Sequence, residues 1–222
     1  IIGSEGTVDK FEGDAIMAFW GAPTKQSDHA KRACFASIDM NEKLVELRSF
    51  ASSRGTPPLA VRMGVNTGQM VVGNMGSSQR MNYTIMGDAV NLASRLEGAN
   101  KAYGSGMMIS ESTYRSCNDD IDVRELDRIR VVGKSEPVTV YQLLNRKNKT
   151  TGQAADLVDQ FSKSLEIYKS GDFERAKSEF SRCLDISSDD GPALTYIARC
   201  QMFVDNPPEP DWDGVFTLTE KG

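Results

Sequence analysis

Tyr83-Thr84-Ile85-Met86-Gly87-Asp88-Ala89-Val90-Asn91-Leu92-Ala93-Ser94-Arg95-Leu96-Glu97 changes periodicity half-way. Tyr83 to Met86 alternate polar and apolar as a short strand does, Gly87-Asp88 make a turn, and from Asp88 onward the spacing is helical. Val90, Ala93 and Leu96 fall on one side of that helix. Asn91 and Arg95, four residues apart, share a different face. A strand entering a helix through glycine is a common phosphate-facing arrangement, because the first amides of a helix are free donors. Taken alone, the stretch reads equally well as an amphipathic helix with a solvated stripe and as half of an anion site.

Upstream, residues 7–20 read as a β-hairpin. Thr7 to Phe11 alternate, Gly13-Asp14 supply the turn and Ala15 to Trp20 form an apolar strand. Asp14 is good turn chemistry as it stands. Asp28 to Arg54 show helical spacing through Ala33, Ala36, Met40, Leu44 and Leu47, closed by Gly55 and Pro57-Pro58. Leu59 to Val65 and Gln69 to Val72 read as two strands of a hairpin turned by Asn66-Thr67-Gly68, and Gly73, Gly76 and Ser77-Ser78 as a flexible connection to Tyr83. Downstream, Ala99 to Gly106 read as a loop, Met107 to Ile109 as a strand and Ser110 to Cys117 as a brief helix. Val123 to Val132 and Val138 to Leu144 read as paired strands around Gly133-Lys134-Ser135.

The composition narrows the function classes. A chain of 222 residues with 39% hydrophobic and 26% charged residues is a globular protein of one to two domains. Its net charge of −5 argues against a general nucleic-acid or anionic-membrane surface. An anionic substrate would have to be met by local cations. Cys34, Cys117, Cys183 and Cys200 form no metal-ligand pair and read as reduced, buried thiols in a cytoplasmic compartment. With His29 the single histidine, no His-based metal site or triad is expected. The longest apolar run, Ala15 to Ala22, is too short to span a bilayer, so no membrane contact is expected from this chain. Ile1-Ile2-Gly3 carries no start or leader pattern and reads as a cut within a longer protein, whose upstream part could carry a membrane anchor.

Four stretches together resemble the class III adenylyl and guanylyl cyclases: Val8-Asp9-Lys10-Phe11-Glu12-Gly13-Asp14-Ala15-Ile16-Met17-Ala18-Phe19-Trp20-Gly21-Ala22-Pro23, Arg62-Met63-Gly64-Val65-Asn66-Thr67-Gly68, the stretch from Tyr83 to Glu97, and Val132-Gly133-Lys134-Ser135-Glu136-Pro137-Val138. In this order over about 140 residues they are specific; singly each is weak. The resemblance covers residues 1–145, is closest to the bacterial type, and lacks the family's first segment.

It implies a ferredoxin-like α+β sandwich without its first strand, with an antiparallel-rich sheet and helices on one face. It also implies conversion of ATP to 3′,5′-cyclic AMP and pyrophosphate with two Mg²⁺ (or Mn²⁺) ions per site. Carried over to this sequence, Asp14 is a metal ligand, Arg95 stabilises charge at the α-phosphate and Asn91 orients the ribose. Lys10 and Thr84 read the base, and Lys134 binds the terminal phosphates. The second metal carboxylate would lie on a strand that this sequence does not contain, so the chain alone is expected to be inactive. Base and metal residues come from different subunits in the family, which implies a head-to-tail homodimer. Lys10, with Thr84 opposite, points to adenine; a guanylyl cyclase would carry an acid near position 10. The alternative is a catalytically inactive cyclase-like module with a regulatory or interaction role, or, further off, a guanylyl cyclase.

Residues 146–153 read as a polar linker. Beyond it, Gly171, Phe173, Ala176, Phe180 and Cys183 match the spacing of a tetratricopeptide helix pair, and a third helix runs from Gly191 to Phe203, giving tetratricopeptide-like helices over 154–206 and a tail over 207–222. One and a half repeats do not stand alone, so these helices are expected to pack on the rest of the chain or on a second copy, and to offer a docking place for a protein regulator.

Overall fold

The computed structural model describes residues 1–57, 59–130, 136–209 and 212–217. The first hairpin is as the alternation predicts, β1 (Thr7–Glu12) against β2 (Ala15–Phe19), with Gly13 at φ 63° in the turn. Helix α1 (His29–Ser53) starts at the Asp28 cap position and ends two residues before Gly55, whose φ of 70° closes it. Then follow β3 (Met63–Val65), β4 (Val71–Ser77), β5 (Arg80–Met86), α2 (Asp88–Tyr103), β6 (Met107–Ser110), α3 (Glu111–Cys117), β7 (Ile121–Arg130) and β8 (Val138–Arg146). The chain closes with α4 (Gln153–Lys169), α5 (Phe173–Ile186), α6 (Gly191–Asp205) and β9 (Phe216–Thr217).

Three expectations are corrected. Met63–Val65 does not pair with the strand that follows it. It runs parallel to β6 in a five-stranded sheet of order β3-β6-β8-β7-β9. Asn66-Thr67-Gly68 is therefore a crossover rather than a hairpin turn, and residues 73–77, read as a flexible connection, are strand β4, paired antiparallel with β5 from Val71↔Met86 to Ser77↔Arg80. Residues 99–103, read as loop, continue α2. Asn100 is fully buried there, donating to the carbonyls of Met63 and Leu96 and accepting from Ser105, so its amide is satisfied inside the helix.

Helices also cover both faces of the large sheet, not one. Successive residues of β6 point to opposite sides. Met107 and Ile109 pack with Ala30, Cys34 and Ile38 of α1 and Cys117 of α3. Met108 packs instead with Leu92, Leu96, Ala99 and Tyr103 of α2.

That second side is also where the C-terminal helices sit. Phe161, Leu165 and Tyr168 of α4, Phe180 and Cys183 of α5, and Tyr196 and Cys200 of α6 form one continuous core with Leu126, Ile129 and Val140 of the sheet. Each fully buried large side chain contributes about 1.5–3 kcal/mol. Buried polar pairs fix the orientation. Arg124 of β7 makes two bonds, 2.9 and 3.1 Å, to Asp190, whose Oδ2 also caps α6 by accepting from the Ala193 amide. Arg199 of α6 reaches Asp127 of β7 at 2.5 Å, and Tyr103 of α2 donates to the same oxygen at 2.6 Å. Trp212 closes the end of the bundle against Tyr168, Phe173 and Phe203. The helices are thus half of the main core. Residues 148–150, in the stretch read as a linker, are held to the sheet by three backbone N–H bonds to the Asp122 carboxylate. No described helix is long and apolar enough to cross a membrane.

Candidate active site

The second sequence motif is the seat of α2. Gly64 lets β3 lie directly on the helix: a Cβ there would be 2.2 Å from the Ala93 carbonyl oxygen and 2.3 Å from the Glu97 nitrogen. Asn66 holds the first turn by donating to the Ala89 carbonyl at 2.9 Å, and its own oxygen accepts from Ser112. Gly87 stands at the N-cap with φ 144°, a backbone region that favours glycine, where β5 turns into α2.

Two candidate residues project from the helix so placed. Asn91 is exposed, and its side chain has no hydrogen bond among the described residues. Arg95 is half-buried, and its Nη1 is fully buried without a hydrogen-bond partner among the described residues. A buried guanidinium nitrogen left unpaired costs free energy unless an anion arrives to accept from it. An anionic group such as a phosphate could accept from it.

Lys10 and Thr84 come from different strands, β1 and β5, and meet at one atom. Thr84 Oγ1 donates to Asp9 Oδ2 at 2.6 Å, and Lys10 Nζ lies 3.8 Å from the same oxygen. The Asp9 side chain is 1% exposed and that of Lys10 38% exposed. The structure thus places a cationic donor beside a hydroxyl.

Asp14 sits on the exposed tip of the β1–β2 hairpin and has no polar partner among the described residues. It offers one hard oxygen donor of the kind that suits Mg²⁺ or Mn²⁺. Among the described residues no group of three His, Cys, Asp or Glu side chains could hold a metal ion. Lys134 lies outside the described residues.

The fourfold pattern has its counterpart in known proteins. Residues 7–145 match the model of the adenylate and guanylate cyclase catalytic domain. The chain belongs to that family. This cyclase domain is 37% identical over 140 residues to adenylate cyclase 1 of Rhizobium meliloti, covering 63% of the chain and 21% of the relative. It is 35% identical over 205 residues to the terminal-differentiation-specific adenylate cyclase of Dictyostelium discoideum, covering 90% of the chain and 10% of the relative. The chain therefore spans about a fifth of the first of these curated relatives and a tenth of the second. An alignment of 205 residues also cannot fit within the matched domain, so that likeness continues into the C-terminal helices. Among solved structures, the adenylyl cyclase CyaB of P. aeruginosa is similar at 41% identity and TM-score 0.61, covering 68% of this chain and 77% of that one. The guanylyl cyclase Cya2 is similar at 33% identity and TM-score 0.60, covering 67% and 74%.

Asp9, Gly64 and Asn66 are the structural contributors that sequence reasoning passed over. All three lie inside quoted motifs, yet nothing in the sequence singles out Asp9, and Asn66-Thr67-Gly68 reads as a hairpin turn. Only the burial of Asp9 and the closeness of β3 to α2 reveal their part.

Proposed function

We propose that this cyclase domain is an adenylyl cyclase, converting ATP to 3′,5′-cyclic AMP and pyrophosphate in a site shared across a homodimer. The observation that carries the choice of substrate is the meeting of Lys10 and Thr84 at Asp9 Oδ2. Adenine presents an acceptor at N1 and a donor at N6, and guanine reverses both. An ammonium donor beside a hydroxyl that can accept matches adenine. The likeness to Cya2 makes guanylyl cyclase the competing choice, but Lys10 would face the N1–H of guanine donor to donor.

In the reaction, the ribose 3′-oxygen bonds to the α-phosphorus while the bond from that phosphorus to the β-bridging oxygen breaks. Pyrophosphate departs with the electron pair, and the hydroxyl proton passes to water. Arg95, with Nη1 already buried and without a partner among the described residues, donates to the α-phosphate as its charge grows. Asn91 orients the ribose from the same face of α2, and Lys134 binds the terminal phosphates. Asp14 would hold the divalent metal that such cyclases generally use. A metal, when bound, lowers the pKa of the attacking hydroxyl and neutralises the leaving oxygens.

In the proposed dimer the metal residue of one copy faces the base and ribose residues of the other. The C-terminal helices, read as tetratricopeptide-like, grip the far end of α2 through Arg199, which donates to the Tyr103 hydroxyl, and through Thr195, which donates to the Ala102 carbonyl. A regulator docking on them could therefore act on the helix that carries Asn91 and Arg95. Four buried free cysteines accord with a cytoplasmic setting.

The test is a Lys10→Glu variant of the full-length protein assayed with ATP and GTP. Loss of the ATP reaction is expected. Undiminished cyclic AMP formation would refute the base assignment.

A further inference from the structure

Asp9 is not among the residues that should touch the nucleotide, yet it is the most buried charged group beside them. Strand β1 loses register against β2 between Val8, which faces Ala18, and Lys10, which faces Met17. Asp9 is thus the extra residue of a bulge, and a bulge re-aims the side chain that it carries. Here the re-aimed carboxylate turns inward to 1% exposure. Its Oδ2 accepts the Thr84 hydroxyl proton at 2.6 Å, lies 3.5 Å from the Ile85 amide nitrogen and stands 3.8 Å from Lys10 Nζ.

A free threonine hydroxyl discriminates poorly between adenine and guanine. It has one proton and two lone pairs, so it rotates to donate or to accept as the base demands. At Thr84 the rotation is taken away. A carboxylate can only accept, and a distance of 2.6 Å is that of a charge-assisted O–H···O⁻ bond. With its single proton committed to Asp9, Thr84 Oγ1 has only lone pairs left for a ligand. A base with an exocyclic amine is accepted. A base with a carbonyl oxygen at that position meets lone pair against lone pair, a mismatch that rejects strongly because the polar groups are buried and stay unpaired.

We infer that Asp9 is a specificity-determining positioning residue: by holding the Thr84 proton and standing next to the Lys10 ammonium, it makes the pair read a 6-amino purine and refuse a 6-oxo purine. This rests on the proposal that Lys10 and Thr84 read the base. It adds that the discrimination resides in a residue that does not touch the base.

The experiment uses the full-length protein and two unreactive probes, 3′-deoxy-ATP and 3′-deoxy-GTP, whose dissociation constants are measured side by side. Asp9→Ala is expected to lower the preference for the adenine probe about tenfold, the worth of one well-placed hydrogen bond. Thr84→Ser is expected to keep the preference and its dependence on Asp9. In a Thr84→Val background Asp9→Ala should change the preference no further, because no hydroxyl remains to be oriented. If Asp9→Ala does not fold, Asp9→Asn serves in its place, with a smaller loss that Thr84→Val again cancels. An unchanged preference in the Asp9 variants, or the same loss with and without the Thr84 hydroxyl, overturns the inference while leaving the base site standing. If Thr84→Val and Lys10→Glu both leave the preference intact, the base site itself is wrong and the inference falls with it.

Discussion

Gly64 and Ala93 are in backbone contact: a methyl group on Gly64 would stand 2.2 Å from the Ala93 carbonyl oxygen. The obstacle is main chain, which cannot rotate away as a side chain does. Gly64→Ala must therefore push α2 off β3, and with it Asn91 and Arg95. Overpacking of this kind costs about 1–3 kcal/mol. A lowered urea midpoint together with reduced activity is expected. Unchanged activity in a folded Gly64→Ala protein would show that the position of α2 is unimportant to the site.

Arg95 gives the opposite pattern. Its buried Nη1 has no partner among the described residues, so it adds nothing to the fold through that atom. Arg95→Met should leave stability unchanged or raised, while kcat falls by about 10²–10³, as for the loss of one preorganised donor to a developing charge. Thermal unfolding and steady-state kinetics on one preparation check both halves.

The pair of Arg199 and Asp127 is a structural counterpart. Both side chains are almost fully buried, at 4% and 2% exposure, and they join α6 to β7. Burial alone would favour a neutral arginine, but the neighbouring Tyr103 and Asp127 outweigh it and hold the guanidinium charged. Removing one member leaves an uncompensated charge, so Arg199→Met should cost about 3–5 kcal/mol, and Arg199→Met with Asp127→Leu less than that. Denaturant unfolding of the single and double variants decides.

Asp122 predicts a pH dependence. Partial burial works to raise its pKa, but hydrogen bonds from the Thr150, Asn148 and Lys149 backbone outweigh this and set it below the ordinary aspartate value. A carboxyl with a depressed folded pKa contributes stability above its unfolded pKa of about 3.9 and loses it as pH falls through the folded value. Asp122→Asn should therefore be less stable than wild type at pH 7, with the gap narrowing as the solution is acidified below the unfolded value. Parallel unfolding curves across that range are the measurement.

What the sequence made legible was local. The β1–β2 hairpin, α1, the switch from β5 to α2 and the three C-terminal helices all carry their period in consecutive residues. Pairing across distance did not show. Met63–Val65 hydrogen-bonds in parallel to Met107–Ile109, and no turn chemistry between them announces it. Gly73 and Gly76 look like breakers, yet they face Thr84 and Met81 in a ladder. Among the candidate residues, the shared placement of Asn91 and Arg95 on α2 was readable from their spacing. Asp9 was not, because an acid beside a lysine on an alternating strand looks solvated until its burial is seen. The charged residues that lock the helices to the sheet, Arg124, Asp127, Asp190 and Arg199, were unreadable for the same reason.

The most direct test of the central claim is cyclic-nucleotide production by the full-length protein, with ATP and GTP supplied separately, in Mg²⁺ and in Mn²⁺. Cyclic AMP from ATP, with little or no cyclic GMP from GTP, is the predicted result. No turnover of either nucleotide by folded, dimeric protein, or a preference for GTP, would contradict it.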